Sequence, residues 1–220
     1  MKALLESLTV NSDLLSRPLF LVLCFAAYLL GSVPFGLVIA KIFCRIDLRT
    51  SGSGNIGTTN VARLCGLHFG IITLFCDAFK GALPVYLALR FFPSVLYASL
   101  VGLCAILGHL YSLFLRFKGG KAVATTVGVF LPLALLPLLI SGLSCLLAIA
   151  LSGFVSLGSL VLAAVLPVCL WLLGPLEALP LSLLVWFLVV FKHRENIRRL
   201  IRGEEKTFLR KKYPTAEPRD

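Results

Sequence analysis

The chain has 220 residues, of which 59% are hydrophobic and 14% charged, and its formal net charge at pH 7 is +11. Soluble domains are about 45–50% apolar and about 25% charged, so this composition excludes an ordinary soluble protein and predicts one integral membrane domain over 1–220. The basic residues cluster beside apolar segments, which favours contact with membrane lipid and argues against nucleic acid as a partner.

The seven cysteines are scattered, mostly within apolar segments, and none forms a CxxC motif or a Cys/His pair. Their odd number and irregular spacing predict small buried hydrophobic residues, and neither a disulfide framework nor a metal site. No other pattern in the sequence calls for a metal or a cofactor.

The first apolar run, 18–43, exceeds the roughly 20 residues that a helix needs to cross about 30 Å of hydrocarbon. A second span is predicted at about 70–91, where Asp77 and Lys80 lie on one helical face and can form an ion pair. Such charges are candidates for function or for tying helices together, and the structural role is favoured here. A third span follows at about 94–115. The loops after the first and third spans are basic, which predicts that both are cytoplasmic.

Residues 122–191 are almost entirely apolar, and the basic tail 192–220 is expected in the cytoplasm. Because the preceding loop also lies inside, the apolar run must contain an even number of crossings. Breaks near 132–137, 152–159 and 174–175 divide it into four short helices, 122–136, 138–153, 158–174 and 177–191. The predicted fold is an all-α integral membrane protein with seven transmembrane helices, the N-terminus outside and the C-terminus cytoplasmic.

A polar, glycine-rich run, SGSGNIGTTN at 51–60, lies in the first basic loop. Glycines let consecutive backbone N–H groups face one concavity, and such a nest binds phosphate oxygens, especially where a helix follows. The run matches neither the dinucleotide fingerprint nor the P-loop, and an ordinary loop is the alternative. The predicted phosphate- or substrate-binding residues here are Gly52, Ser53, Gly54, Asn55, Gly57, Thr59, Asn60 and Arg63.

Further polar clusters fall on the same predicted side, at 108–109 with 117–125, at 155–159 and from 192 onward. Cations, glycine amides and Asn donors suit phosphate groups, and the spans offer a dry slot for a lipid-like tail, so an amphiphilic substrate is predicted. Taken singly, each residue also has a structural explanation, such as a packing histidine or a serine bonded to a helix carbonyl. These clusters add His109, Gly119, Gly120, Lys121, Ser156, Ser159, His193 and Asn196 to the predicted site.

Several motifs in one order resemble the acyl-phosphate-dependent glycerol-3-phosphate acyltransferases of bacteria, the PlsY type. They are GSVPFGLVIAK at 31–41, DLRTSGSGNIGTTNVAR at 47–63, the Asp77/Lys80-Gly81 pair, LGHLYSLFLRFKGGKAVAT at 107–125, VSLGS at 155–159 and HRENIRRL at 193–200. Ser112, Arg116 and Gly158 depart from the expected pattern without removing a proposed ligand. The HxxxxD, GxSxG and HExxH motifs are absent from the sequence.

The resemblance implies an enzyme of the bacterial inner membrane whose site faces the cytoplasm. It implies transfer of a fatty acyl group from acyl phosphate to the 1-hydroxyl of sn-glycerol-3-phosphate, giving lysophosphatidic acid and inorganic phosphate. Lys121, Ser159, His193 and Asn196 are the implied catalytic residues. A one-step attack is hypothesised because acyl phosphate is already activated, with either His193 or a substrate phosphate oxygen as the base. Contact with the soluble enzyme that makes acyl phosphate is a further expectation.

Two other functions fit parts of the sequence. A transporter of organic phosphates would use similar cations and glycines, but transporters place binding groups near the midplane of a repeated architecture, whereas these groups favour one face. A membrane scaffold would account for the basic tail but not for the glycine-rich run or FKGGK at 117–121. Both are secondary to the acyltransferase.

Overall fold

The computed structural model describes residues 18–92 and 94–208, and every regular element within these residues is helical. The longer helices are α1 (Pro18–Ser32), α2 (Phe35–Phe43), α3 (Thr58–Cys65), α4 (Leu67–Phe91), α5 (Val95–Leu110), α6 (Val123–Leu133), α7 (Leu135–Ser152), α8 (Val155–Leu173), α9 (Leu179–Lys192) and α10 (Arg194–Ile201). Short 3₁₀ turns lie at Leu113–Leu115 and Leu176–Ala178. The all-α prediction is confirmed for this part of the chain, and the last twelve residues of the predicted tail lie outside it.

Five segments of the described chain are long and apolar enough to cross a membrane, and a sixth is obtained when a pair bent by 60° is counted as one span. The five are Pro18–Phe43, Leu67–Phe91, Val95–Leu115, Leu135–Ser152 and Val155–Leu173, and the bent pair is Leu176–Lys192 with Arg194–Ile201. Helix α6, in the place of the predicted span 122–136, has only 11 residues. Its length of about 16 Å is half the hydrocarbon thickness, so a crossing at α6, and with it the count of seven spans, stays a prediction.

The breaks between the later helices fall where the sequence predicted them. Ala134 lies between α6 and α7, and its ψ of 73° is not helical. Gly153 separates α7 from α8 with a φ of 78°, a left-handed conformation that glycine adopts without steric cost. Gly174 and Pro175 separate α8 from the turn before α9. The local backbone preferences of Gly and Pro therefore account for the second and third of these boundaries.

Small residues let α1 pack closely against α5. A Cβ atom at Gly31 would overlap the backbone carbonyl of Ala105, and one at Gly108 would overlap the backbone of Tyr28. Backbones approach each other in this way in membrane bundles, where helix association depends on close packing. The sequence interpretation of GSVPFG as a tight packing segment is consistent with these contacts.

Asp77 and Lys80 form the predicted ion pair inside the bundle, with 2.7 Å between Lys80 Nζ and Asp77 Oδ1. Their side chains are 3% and 1% exposed, respectively. Lys80 also donates a hydrogen bond to the carbonyl oxygen of Val33 at 2.9 Å. That carbonyl lies at the break between α1 and α2, where Pro34 has no N–H to continue the helix. The pair therefore ties α4 to the interrupted first span.

The prediction that the cysteines are all unbridged is wrong for one pair. Cys44 and Cys65 form a disulfide, with 5.9 Å between their Cα atoms. Cys44 follows α2 and Cys65 ends α3, so the chain between them returns on itself around the glycine-rich run. Spacing alone could not reveal this, because the pairing depends on how the loop folds back. The cysteines at 24, 76, 104, 145 and 169 are free.

Candidate active site

The glycine-rich run forms the connection between α2 and α3. Gly52 and Gly54 have φ values of 67° and 73°, in the left-handed region that favours glycine. Asn60, 2% exposed, stabilises this loop from within. Its side-chain oxygen accepts a hydrogen bond from the N–H of Ser53 at 3.0 Å, and its amide donates to the carbonyl of Asn55 at 2.8 Å. The side chain of Asn60 is therefore engaged in hydrogen bonds with the loop backbone.

The loop itself uses some of the amides that the nest was predicted to offer. The N–H of Gly54 bonds to Ser51 O at 3.1 Å, and that of Gly57 to Asn55 Oδ1 at 3.2 Å. In the first turn of α3 the N–H of Asn60 donates to Gly57 O at 3.0 Å, whereas those of Thr58 and Thr59 have no partner among the described residues, as is usual at a helix start. The buried hydroxyl of Thr58 has no hydrogen-bond partner among the described residues. The open donors thus gather where α3 begins.

Arg63 lies in the last turn of α3 and is half-buried. Its side chain forms no ion pair or hydrogen bond with the part of the chain that the structure describes. A partly desolvated guanidinium without a carboxylate is the arrangement that suits an anionic ligand, since Arg binds phosphate in a bidentate way.

The second predicted segment, 117–122, folds back onto the end of α5. The N–H groups of Gly119 and Gly120 donate to the carbonyl oxygens of Leu110 and His109, at 3.2 and 3.1 Å. A Cβ atom at Gly120 would overlap the imidazole ring of His109. The two glycine amides are therefore engaged within the protein, and the glycines let the turn lie against α5 so that Lys121 projects from it.

His109 is 5% exposed and lies beneath this turn. Its Nδ1 is 3.0 Å from Thr125 Oγ1 and 3.9 Å from Asp77 Oδ1. These contacts place the ring among α4, α5 and α6, where it links the buried ion pair to the start of α6. His109 therefore packs under Gly120, and its contact with substrate stays a prediction.

Lys121 reaches the helix that follows His193, and its Nζ donates a hydrogen bond to Asn196 Oδ1. Burial lowers the pKa of Lys121 to about 8, while the nearby Glu205 acts in the opposite direction. Its ammonium group is therefore charged at neutral pH but close to its titration range. Two residues predicted as catalytic, 75 positions apart in the chain, are in direct contact.

Glu205 is the centre of a cluster of polar side chains, and it is not among the residues predicted from the sequence. Its carboxylate accepts hydrogen bonds from Ser156 Oγ at 2.7 Å, Asn196 Nδ2 at 2.6 Å and Arg199 Nε at 2.7 Å. Burial raises the pKa of Glu205, but the hydrogen bonds from Arg199, Asn196 and Ser156 outweigh it and the pKa is lowered. The only signal in the sequence is an acidic residue within a basic tail, GEEK at 203–206.

The segment after α10 brings Glu205 to this position. The N–H of Phe208 donates to the carbonyl oxygen of Gly153 at 2.9 Å, which fixes the tail against the turn between α7 and α8. Ser156 lies one turn further along α8. Of the two serines in the VSLGS motif, Ser156 therefore contacts the basic tail, through Glu205.

His193 lies at the junction of α9 and α10 and is 2% exposed. Its Nδ1 is 2.8 Å from the carbonyl oxygen of Val189. A carbonyl oxygen only accepts, so Nδ1 carries the proton in this contact and Nε2 of the neutral ring has a free lone pair. Ser159 donates its own hydroxyl proton to Val155 O at 2.9 Å.

Side-chain contacts and one shared cavity bring parts of the four predicted segments to one end of the helical bundle. We call this end, made of 44–57, 111–122, 153–159 and 192–208, the polar face. Lys192 Nζ donates to Leu110 O at 3.1 Å and lies 4.3 Å from the centre of the Tyr111 ring, which joins the ends of α9 and α5. A cavity lined by Arg49, Phe114, Leu115, Arg116 and Lys118 lies between the segment that precedes the glycine-rich run and the turn before Gly119. Within the described chain, no hydrogen bond or ion pair connects Arg63 to the Glu205 cluster.

The model of the family described as glycerol-3-phosphate acyltransferase matches residues 21–203 of the chain. The chain belongs to the glycerol-3-phosphate acyltransferase family. The match includes the glycine-rich loop, Lys121, His193 and Asn196, and it ends two residues before Glu205.

Curated relatives carry the same name. The chain is 58% identical over 194 residues to the glycerol-3-phosphate acyltransferase of Nitratidesulfovibrio vulgaris, covering 88% of this chain and 59% of that protein. It is 59% identical over 186 residues to the enzyme of Desulfovibrio desulfuricans, covering 84% of this chain and 83% of the relative. For the protein of Lawsonia intracellularis the identity is 52% over 182 residues, covering 83% of this chain and 92% of the relative.

A solved structure shares the architecture. The glycerol 3-phosphate form of PlsY (YgiH), an integral membrane glycerol 3-phosphate acyltransferase, is 38% identical in sequence and superposes with a TM-score of 0.82. The similarity covers 86% of this chain and 95% of the PlsY chain. The lysophosphatidic acid form of the same protein gives a TM-score of 0.80 at 37% identity. This member of the acyltransferase family thus has the fold of an integral membrane protein.

Proposed function

We propose that the protein transfers a fatty acyl group from acyl phosphate to the 1-hydroxyl of sn-glycerol-3-phosphate, giving lysophosphatidic acid and inorganic phosphate. The observation that carries this proposal is the junction at the polar face. There Lys121 contacts Asn196 and Asn196 contacts Glu205, in a chain whose relatives are named glycerol-3-phosphate acyltransferases. A half-buried lysine, an unpaired Arg63 and a histidine with a free Nε2 supply the groups that two phosphate-bearing substrates need.

The proposed chemistry is a single displacement. The hydroxyl oxygen of glycerol-3-phosphate attacks the acyl carbonyl, the bond between that carbon and the phosphate oxygen breaks, and phosphate leaves with the bonding electron pair. Because phosphate is already a good leaving group, the protein has mainly to align two anions and balance their charge. Lys121 and Arg63 are the cations proposed for this role, and Ser159 and Asn196 are proposed to orient the substrates.

Two acceptors are available for the proton that the hydroxyl group loses. One is Nε2 of His193, whose tautomer is fixed by the bond from Nδ1 to Val189 O. The other is a phosphate oxygen of either substrate. His193→Gln keeps a polar side chain but removes the base, so a large loss of kcat with unchanged KM assigns the proton to His193. A kcat near that of the wild type assigns it to a phosphate oxygen.

We place the enzyme in the bacterial inner membrane, with seven spans, the N-terminus outside and the polar face toward the cytoplasm. The basic residues at 41–49, 116–121 and 192–206 then lie on the side where positive charge accumulates. Both polar substrates would reach the polar face from the cytoplasm. Arg194 and Arg198 of α10 are exposed, although both pair with Glu195, and they are the cations that we propose for contact with a soluble enzyme that delivers acyl phosphate.

The test is a reconstitution with defined donors. The purified protein receives glycerol-3-phosphate with acyl phosphate, acyl-coenzyme A or an acyl carrier protein thioester, and both released phosphate and lysophosphatidic acid are measured. Phosphate release that depends on glycerol-3-phosphate, in equal amount to lysophosphatidic acid, supports the proposal. Product formed only from a thioester contradicts the proposed donor. Absence of product from every donor, in folded protein, contradicts the reaction.

A further inference from the structure

A cavity at the polar face lies outside the cluster around Glu205. It has a volume of about 450 Å³, and its lining residues are Arg49, Phe114, Leu115, Arg116 and Lys118. This volume falls within the range of about 300–1,000 Å³ that is typical of small-molecule sites. The residues proposed for catalysis do not line it, so it requires its own explanation.

The charges around the cavity are positive and largely unpaired. Arg49 is held by Asp47 through a 2.6 Å ion pair, which fixes its guanidinium at the cavity wall. Arg116 and Lys118 form no ion pair or hydrogen bond through their side chains with the described residues. With Asp47 included, these four residues carry a net charge of +2, from three cations and one carboxylate. An anion of nearly two charges would match that balance.

The turn that carries Arg116 has an unusual backbone. Arg116 and Phe117 are consecutive non-glycine residues with φ values of 52° and 63°, in the sparsely populated left-handed region. Hydrogen bonds hold this conformation, because the N–H of Phe117 donates to Ser112 O at 2.8 Å and that of Lys118 to Leu115 O at 3.1 Å. The cations are therefore displayed by an ordered turn at the end of a candidate span.

The other wall of the cavity is apolar and lies where a membrane surface is expected. Phe114, which lines the cavity, is 59% exposed at the end of the candidate span Val95–Leu115, and Phe117, just beyond the span, is 57% exposed. Exposed Phe side chains, like those on the apolar face of interfacial helices, can lie at the boundary between headgroups and acyl chains. An alkyl chain attached to the anion could therefore extend along Phe114 into the bilayer.

We propose that this cavity binds the phosphate monoester headgroup of a single-chain amphiphile, separately from the site of acyl transfer. A phosphate monoester carries about −1.5 to −2 charges at pH 7, whereas the phosphodiester of a common anionic lipid carries one. Lysophosphatidic acid is such a monoester, and acyl phosphate, although an anhydride, also carries a singly substituted phosphate of similar charge, so the cavity holds donor or product next to the active site. The identification of the ligand as acyl phosphate or lysophosphatidic acid rests on the proposed function, but the match between the cavity and a phosphate headgroup does not.

The probe is hexadecyl phosphate, which has the headgroup and chain but no acyl bond to transfer. Binding is measured by isothermal titration calorimetry on the full chain in neutral detergent, with Lys121→Ala present in every variant to weaken the proposed catalytic site. Arg116→Gln/Lys118→Gln should weaken the remaining binding about 30-fold, since each basic residue near a lipid headgroup contributes about fivefold. The matched control, Arg202→Gln/Lys206→Gln, removes two exposed cations outside the cavity and should leave the affinity unchanged.

Two competitors identify the ligand class. Inorganic phosphate should compete poorly because it has no chain, and phosphatidylglycerol should compete poorly because it is a diester. Equal competition by either one contradicts the monoester amphiphile. Equal affinity in the Arg116→Gln/Lys118→Gln variant and in its control contradicts the cavity itself. Because no turnover is measured, these outcomes remain distinguishable from a failure of the proposed reaction.

Discussion

Lys121 is the residue whose charge state matters most for the proposed chemistry. It donates to Asn196, and burial brings its pKa down to about 8. A lysine is charged below its pKa, so the cation is present at neutral pH and is lost as the pH rises through about 8. An active site that depends on this charge has its alkaline limit near that pH.

We therefore predict that kcat/KM falls about tenfold for each pH unit above about 8, following the loss of the Lys121 charge. In Lys121→Arg this decrease should disappear below pH 10, because arginine stays protonated. Lys121→Ala should lower kcat/KM by roughly 10²–10³-fold at pH 7, the usual effect of removing one preorganised donor. The pH profiles of the three proteins are compared, with Lys206→Ala as an exposed lysine control. An unchanged alkaline decrease in Lys121→Arg contradicts the assignment.

Glu205 receives three side-chain donors, so we predict that Glu205→Gln lowers both activity and stability. The carboxamide keeps the volume but removes the charge that Ser156, Asn196 and Arg199 share. The adjacent Glu204→Gln is the matched control, because Glu204 is exposed and forms no side-chain bond with the described residues. Tm and kcat are measured for both variants. Equal Tm values in the two contradict a central role for Glu205.

The pH dependence of stability gives a second readout for Glu205. Its folded pKa is lowered, so its contribution to stability is complete above the unfolded pKa and is lost as the pH falls through the folded pKa. Glu205→Gln should therefore reduce Tm at pH 7 and have progressively less effect in acid. A difference from the wild type that stays constant down to the folded pKa contradicts this account.

At the scale of elements, the polar face is built where short turns pack against helix ends. The 117–122 turn lies on the end of α5 through two backbone hydrogen bonds, and the 204–208 tail lies on the turn between α7 and α8 through one. Asp77 and Lys80 fix the interrupted first span from inside. The first two contacts bring distant parts of the chain to the polar face, and the ion pair holds the bundle beneath it.

Gly120→Ala should disturb the first of these contacts. The added methyl group would overlap the His109 ring, which is enclosed by Thr125 and the ion pair and has little room to move. We predict a lower Tm and a lower kcat, since Lys121 is the next residue. Gly142→Ala on α7 is the control, because a Cβ atom there meets nothing within 4 Å and alanine favours the helix. Equal Tm values for the two variants contradict the packing argument.

At the scale of the whole molecule, the short α6 decides the topology. Its 11 residues pack beside α4 and end at Leu133, and the seven-span arrangement requires its two ends to lie on opposite sides of the membrane. Local thinning of the bilayer makes such a short crossing feasible. With five or six crossings, one of the polar segments or the C-terminal tail would lie on the opposite side of the membrane from the rest of the polar face.

We predict that Leu135→Cys, just after α6, reacts with a membrane-impermeant maleimide from outside intact cells. Glu204→Cys in the tail should react only after permeabilisation. Both are introduced into a chain whose native cysteines are replaced, and the background chain is the control for unspecific labelling. Reaction of both positions from the same side contradicts seven spans.

The sequence by itself determined the membrane class, the positions of the long helices and most of their boundaries. These features depend on the local length of apolar runs and on the backbone preferences of Gly and Pro, as at Gly153 and Pro175. It also indicated Lys121 and Asn196 as members of one site, because their motifs occur in the order typical of the family. Their direct contact confirms that they lie together.

Only the tertiary structure decided which polar groups are engaged within the protein and which remain free for a ligand. Asn60 faces into its own loop, Cys44 is bonded to Cys65, and Glu205 collects donors from α8 and α10. The physical reason is that these contacts join residues distant in sequence, and their geometry depends on how the loops fold back on the bundle. A glycine or a glutamate in a linear pattern does not show whether its hydrogen-bonding groups are free for a ligand or engaged by the protein itself.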